Sequence, residues 1–110
     1  MPHIRMRGLP EDVVATVSCT LLDQLADLCQ VNAQGFTLDW IPSLSYRDGK
    51  VDLSITQVEV LWFAKDPETH DKVEQAIREA VSKAYPELQQ LAVMFRELKP
   101  SCYYRDGKHF

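Results

Sequence analysis

Two stretches decide how this chain is read: PSLSYRDGK, Pro42–Lys50, and PSCYYRDGK, Pro100–Lys108. Seven of their nine positions are identical, and they lie 58 residues apart in a chain of 110. Each begins with a proline that stops a strand and carries, just before its final lysine, Asp-Gly, the pair favoured in a two-residue hairpin turn. A turn alone does not demand the shared Tyr-Arg and Lys flanks. The repeat therefore raises the question of whether the surrounding elements repeat as well.

Upstream of the first copy, HIRMR (3–7) alternates polar and apolar residues and predicts a strand. Leu9-Pro10-Glu11-Asp12 opens a helix with proline and acids in its first turn. Val13, Val14, Val17, Leu21, Leu25 and Leu28 recur at helical spacing, so one helix is expected to run to about Cys29. FTLDWI (36–41) is a second strand, and VDLSI (51–55) returns from the Asp-Gly turn. The second half repeats this order. VEVLWFA (58–64) is a strand, and Asp66-Pro67-Glu68 starts a helix with its buried face at Val73, Ile77, Ala80, Val81 and Ala84. LAVMFREL (91–98) is the last long strand before the second nonapeptide.

The helix starts are offset by nearly the same period as the nonapeptides. This predicts one α+β domain over residues 1–110, with pseudo-repeat halves at about 2–56 and 57–110. Each half is a βαβ unit followed by a hairpin. Two units give a four-stranded mixed sheet with both helices on one face. Strand parity puts Ile4, Met6, Trp40, Val58, Val60 and Trp62 under the helices. The opposite face carries His3, Arg5, Arg7, Thr37, Asp39, Glu59, Leu61, Phe63, Met94 and Arg96. Such a mixture of charge with large apolar groups predicts a partly wet subunit interface.

Composition narrows the function. The apolar share is 45%, the charged share 25% and the net charge −4, with basic residues spread along the chain. Nucleic acid is not expected as a partner, because phosphate binding needs a concentrated basic face. No apolar run approaches a membrane span, and the first residues lack a signal layout, so a cytoplasmic protein is expected. Cys19, Cys29 and Cys102 form no CxxC pair, and His3, His70 and His109 lack metal-ligand spacing. No cofactor or metal is expected.

The chain begins MPHIRMRG. Methionine is generally removed before a small residue, which would leave Pro2 with a free secondary amine. Burial and neighbouring cations would lower its basicity into the working range of a general base. If Met1 is retained, the Pro2 nitrogen is an amide and has no such role.

Two βαβ units in a short chain beginning Met-Pro resemble the tautomerase superfamily, which includes macrophage migration inhibitory factor and the oxalocrotonate tautomerases. MPHIRMRG (1–8), VEVLWF (58–63) and YYRDGKHF (103–110) are most similar to a bacterial branch of small tautomerase-like proteins without an assigned substrate. The resemblance implies a cofactor-independent keto–enol tautomerase acting on a small carboxylate-bearing molecule, with Pro2 as base. It implies arginines on the substrate carboxylate and hairpins reaching across a homotrimer. By position, Arg5, Arg7, Tyr103, Tyr104, Arg105 and Lys108 are the candidate substrate-binding residues. The sequence departs from the migration-inhibitory-factor pattern at two points. It has no lysine before Lys50, and a histidine follows Pro2. Two other readings remain: a non-catalytic oligomeric binding or regulatory protein of the same fold, and a ferredoxin-like ligand-binding module, which shares the element order.

Overall fold

The structure, a computed structural model, describes residues 2–110. Met1, whose removal the proline-base expectation requires, lies outside the described residues. Strand β1 (His3–Arg7) leads to two helices, α1 (Glu11–Ser18) and α2 (Leu21–Cys29), then to β2 (Thr37–Ile41). The first hairpin is β3 (Ser45–Arg47) and β4 (Lys50–Asp52). Strand β5 (Ile55–Phe63), helix α3 (Pro67–Ala84) and strand β6 (Gln90–Leu98) follow, and the second hairpin is β7 (Tyr104–Arg105) with β8 (Lys108–His109).

The four long strands form one mixed sheet in the order β2-β1-β5-β6. The outer pairs, β1 with β2 and β5 with β6, are parallel. The central pair, β1 with β5, is antiparallel, and it sets His3 opposite Leu61 and Arg5 opposite Glu59. Each helical crossover thus joins adjacent strands. A ferredoxin-like module would instead leave a gap in each unit for a strand of the other, so this order rules that alternative out.

Hydrophobic burial follows the strand parity. Ile4, Met6, Val58, Val60 and Trp62 are buried, and they face Val14, Val17, Leu21 and Leu25 of the first two helices and Val73, Ile77 and Val81 of α3. All three helices therefore cover one face. In β5 every second side chain is buried from Thr56 to Trp62, the pattern of a central strand with one covered face. Trp40 departs from the expected placement under the helices. It is 36% exposed, and its indole N–H donates to the Leu9 carbonyl at 2.9 Å, which holds the ring at the rim of the sheet.

The single first helix expected from periodicity is two. Ser18 Oγ donates to the Ala15 carbonyl at 2.6 Å and Cys19 Sγ to the same oxygen at 3.6 Å. The backbone N–H of Cys19 reaches the Thr16 carbonyl at 3.1 Å, a tighter turn, and Thr20 leaves helical geometry at φ −130°. Two successive small polar side chains, Ser18 and Cys19, compete with the helical ladder here. The apolar spacing carries across the break because both segments still bury one stripe. Helix α3 is uninterrupted, and the Asp66 carboxylate caps it by accepting from the Thr69 N–H at 2.7 Å.

Both hairpins turn at Asp-Gly with positive φ at both central residues: 52° and 76° at Asp48-Gly49, 52° and 85° at Asp106-Gly107. That is the hairpin turn whose twist matches its strands. Gly8 holds a third left-handed position, φ +84°, where β1 turns into α1. A side-chain carbon there would sit 2.5 Å from the Ile55 carbonyl oxygen. The Gly8 carbonyl also accepts from Thr56 Oγ1 at 3.1 Å, tying the turn to β5. Among the described residues no helix is long and apolar enough to cross a membrane.

Gly8→Ala combines a left-handed alanine with a backbone collision. It is expected to lower stability by about 2 kcal/mol or more, read as a drop in urea midpoint. An unchanged midpoint would show that the turn relaxes freely.

Candidate active site at the start of the first strand

Residues of β1 alternate between two environments. Pro2, just before the strand, is buried on the helix side, and its carbonyl accepts from the Thr37 N–H at 3.1 Å. His3 takes the opposite face. Its Nδ1 lies 2.6 Å from Thr37 Oγ1 and its Nε2 lies 2.7 Å from the Tyr103 hydroxyl. Arg105 Nη2 donates to that same hydroxyl at 3.2 Å.

Donor and acceptor capacity assigns the protons. A guanidinium has no acceptor, so the Tyr103 oxygen receives from Arg105, and we assign its own proton to the His3 contact. His3 Nε2 is then the acceptor, and Nδ1–H donates to Thr37 Oγ1. Burial is the main cause that lowers the His3 pKa below 6.5, and the amino-terminal charge, then Arg105 and Arg5, act in the same direction against Asp39. A pKa below 6.5 leaves the imidazole mainly neutral at pH 7.

Aromatic rings wall this network. Phe63 meets Tyr103 edge-on at 5.8 Å between centroids, and Phe110 meets Tyr103 edge-on at 5.1 Å. The Arg105 guanidinium lies 5.4 Å from the Phe110 ring centre and 5.8 Å from that of Tyr103. Among the described residues Arg105 has no carboxylate partner.

The other candidates divide. Tyr103 and Arg105 stand with His3, the neighbour of Pro2. Lys108 faces Arg105 across the second hairpin, whereas Tyr104 pairs with His109 on the hairpin's other side and is exposed. Arg5 is tied to Glu59 at 3.6 Å, and Arg96 reaches the same carboxylate at 3.5 Å. Arg7 lies at the far end of β1, roughly 16 Å from Pro2 at strand rise. With Arg5, Ile41, Gln57, Glu59 and Met94 it lines a shallow depression on the open sheet face. The chain's own fold thus joins Arg105 through Tyr103 to His3 and leaves Arg7 outside that network. Sequence reading placed His3, Thr37 and Phe63 on the open face without joining them to the site. Strand parity held that signal, but their partner Tyr103 is 100 residues from His3.

The family model described as domain of unknown function DUF1904 matches residues 1–109. The chain belongs to the DUF1904 family. A DUF1904 protein from Sebaldella termitidis ATCC 33386 is 34% identical, with all of both chains covered and a TM-score of 0.93. No curated protein matches the sequence. The DUF1904 chain also shares the tautomerase-superfamily fold. The macrophage migration inhibitory factor-like protein of Entamoeba histolytica superposes at TM-score 0.79 and 10% identity, with 99% of this chain and 98% of that chain covered. A wild-type fused 4-OT described as an asymmetric trimer superposes at TM-score 0.80 and 11% identity, with 97% and 94% covered. At these identities the likeness is one of fold, and the chemistry rests on the site itself.

Arg105→Ala removes a cation facing His3 and is expected to raise the His3 pKa toward 6.5, as read by NMR titration of the ring. A depressed histidine pKa also has a sign for stability. The stabilisation is fully present above pH 6.5 and is lost as pH falls through the lower, folded-state pKa. The thermal midpoint should therefore drop in that window in the wild type, and drop less in His3→Asn. Equal drops in the two proteins would assign the acid loss to other groups.

Proposed function

We propose that this chain is a cofactor-independent keto–enol tautomerase of the cytoplasm. It acts on a small carboxylate-bearing substrate as a homotrimer, with the Pro2 amine, freed by removal of Met1, as general base. The observation that carries the reading is Arg105. It is a cation without a carboxylate partner among the described residues, set against aromatic rings and linked through Tyr103 to the residue beside Pro2. A guanidinium so placed offers a carboxylate two parallel N–H groups, and the rings offer apolar area for the rest of a 2-oxo acid.

Burial at the start of β1 supports the role of Pro2. Burial of an amine disfavours its ammonium form, the direction a general base requires. A base that moves a proton between carbon and its own nitrogen needs no metal if the enolate oxygen is met by donors. The trimer is supported by the open sheet face, where Met94 is 38% exposed beside the Arg5–Glu59–Arg96 cluster. The first hairpin adds Leu53, 74% exposed, with exposed Leu44, Tyr46 and Val51, a patch suited to a neighbouring subunit. In such an assembly Arg5 and Arg7 act toward a neighbour's site, because Glu59 and distance remove them from their own Pro2.

The test is enol-to-keto conversion of phenylpyruvate by protein that mass spectrometry shows to lack Met1. Pro2→Ala is expected to lower kcat/KM by about 100-fold or more, and Arg105→Ala to raise KM. Equal rates with Pro2→Ala, or no turnover in either protein, would remove the proline-base reading and leave a non-catalytic binding protein of this fold. Sedimentation equilibrium should give three times the chain mass, and a monomer at micromolar concentration would remove the trimer.

A further inference from the structure

The reaction proposed above leaves one proton unassigned. When an enol becomes a ketone, the carbon gains a proton from the Pro2 ammonium, and the enol hydroxyl must lose one. We infer that the Tyr103–His3 pair accepts that proton: Tyr103 takes it from the enol hydroxyl while passing its own phenolic proton to His3 Nε2. This inference rests on the tautomerase reading and assigns a second proton-transfer group to the same site.

The geometry points to it on three counts. His3 Nε2 and the Tyr103 hydroxyl lie 2.7 Å apart, within reach of direct proton transfer between them. The opposite ring nitrogen is held at 2.6 Å by Thr37 Oγ1, which keeps the Nε2 lone pair turned toward Tyr103. Arg105 donates to the Tyr103 oxygen at 3.2 Å, so charge that develops there during transfer is met by a fixed cation. The phenolic oxygen keeps one further lone pair, which is free to receive the enol proton.

The step balances without a further reactant. Enol, Pro2 ammonium and neutral His3 give ketone, Pro2 amine and His3 imidazolium. The C–H bond forms as the N–H bond of Pro2 breaks. The enol O–H and phenol O–H break as a new phenol O–H and the His3 N–H form. One proton returned from His3 to Pro2 through solvent resets the site. Because Tyr103 touches the substrate and His3 acts through it, His3 is a positioning residue and proton store.

The groups facing His3 favour an empty Nε2 at neutral pH. The amino-terminal charge, Arg105 from the second hairpin and Arg5 on its own strand disfavour the cation, while Asp39 on β2 favours it. Tyr103 and Thr37 are its hydrogen-bond partners. From β5, Leu61 and Phe63 bring no charge, and Glu59 is shared by Arg5 and Arg96. Protonation of His3 turns Nε2 into a donor and removes the acceptor from behind Tyr103.

The experiment is the pH profile of kcat/KM for phenylpyruvate enol-to-keto conversion. Wild type, His3→Asn, Tyr103→Phe, the double variant and Pro2→Ala are measured side by side. The wild-type rate is expected to fall with unit slope below the His3 pKa that NMR reads in the same protein. His3→Asn should lose that acid limb and about 10- to 100-fold in rate. Tyr103→Phe, which keeps the ring in place, should do the same, and the double variant should lose no more than either single one. A His3→Asn protein with the wild-type rate and limb would overturn the relay, as would an NMR spectrum with the His3 proton on Nε2 at pH 7. The two readings fail separately. Inactive Pro2→Ala with a fully active His3→Asn removes only the relay. Active Pro2→Ala with a lost acid limb in His3→Asn removes only the proline base. No turnover by wild type removes both.

Discussion

The antiparallel contact between β1 and β5 is the joint on which this structure depends. Among the described residues it is the one ladder between the two βαβ units, and it makes one sheet of them. It also fixes the parity of β1. With Ile4 opposite Val60 and Met6 opposite Val58, the apolar side chains enter one core under three helices. His3, Arg5 and Arg7 must then emerge on the open face. A slip of one residue would bury two arginines and a histidine and expose the core, so the register is strongly specified. Gly8 guards its far end, since only a residue without a side-chain carbon passes the Ile55 carbonyl there.

That parity sorts the arginines by neighbour. Arg5 and Arg96 converge on Glu59 from the two strands that flank β5, and their charge is spent on a partly exposed ion network. Arg105 arrives from the second hairpin with no acid to meet it among the described residues, and it leans on Tyr103 and Phe110 instead. Residue type alone does not distinguish these cations. Their partners do, and those partners come from other strands.

The fold was legible where the physics is local. The Asp-Gly turns, the Asp66 cap, the alternation in β1 and β5 and the helical spacing of α3 all act over a few residues, and the structure shows each at its expected place. The break between α1 and α2 was not legible from apolar spacing, because the spacing runs unbroken across it. Its signal lay in the polar run Ser18-Cys19-Thr20, which weakens the helix without altering the stripe. Trp40 misled for a related reason. Parity assigned it to the core, and a hydrogen bond to Leu9 holds it at the rim.

The sequence by itself determined the α+β class, the two βαβ units, both hairpins and the faces of the long strands. It also placed Pro2, Tyr103 and Arg105 among the candidates. Only the tertiary structure decided the strand order, because short-range patterns are the same for a tautomerase-like and a ferredoxin-like sheet. Only the tertiary structure, too, drew His3, Thr37, Phe63, Tyr103 and Arg105 into one cluster and separated Arg7 from it. The physical reason is range. Turn, cap and period are set by neighbours in the chain, whereas a hydrogen bond between His3 and Tyr103 exists only after the sheet has brought together residues from opposite ends of the sequence.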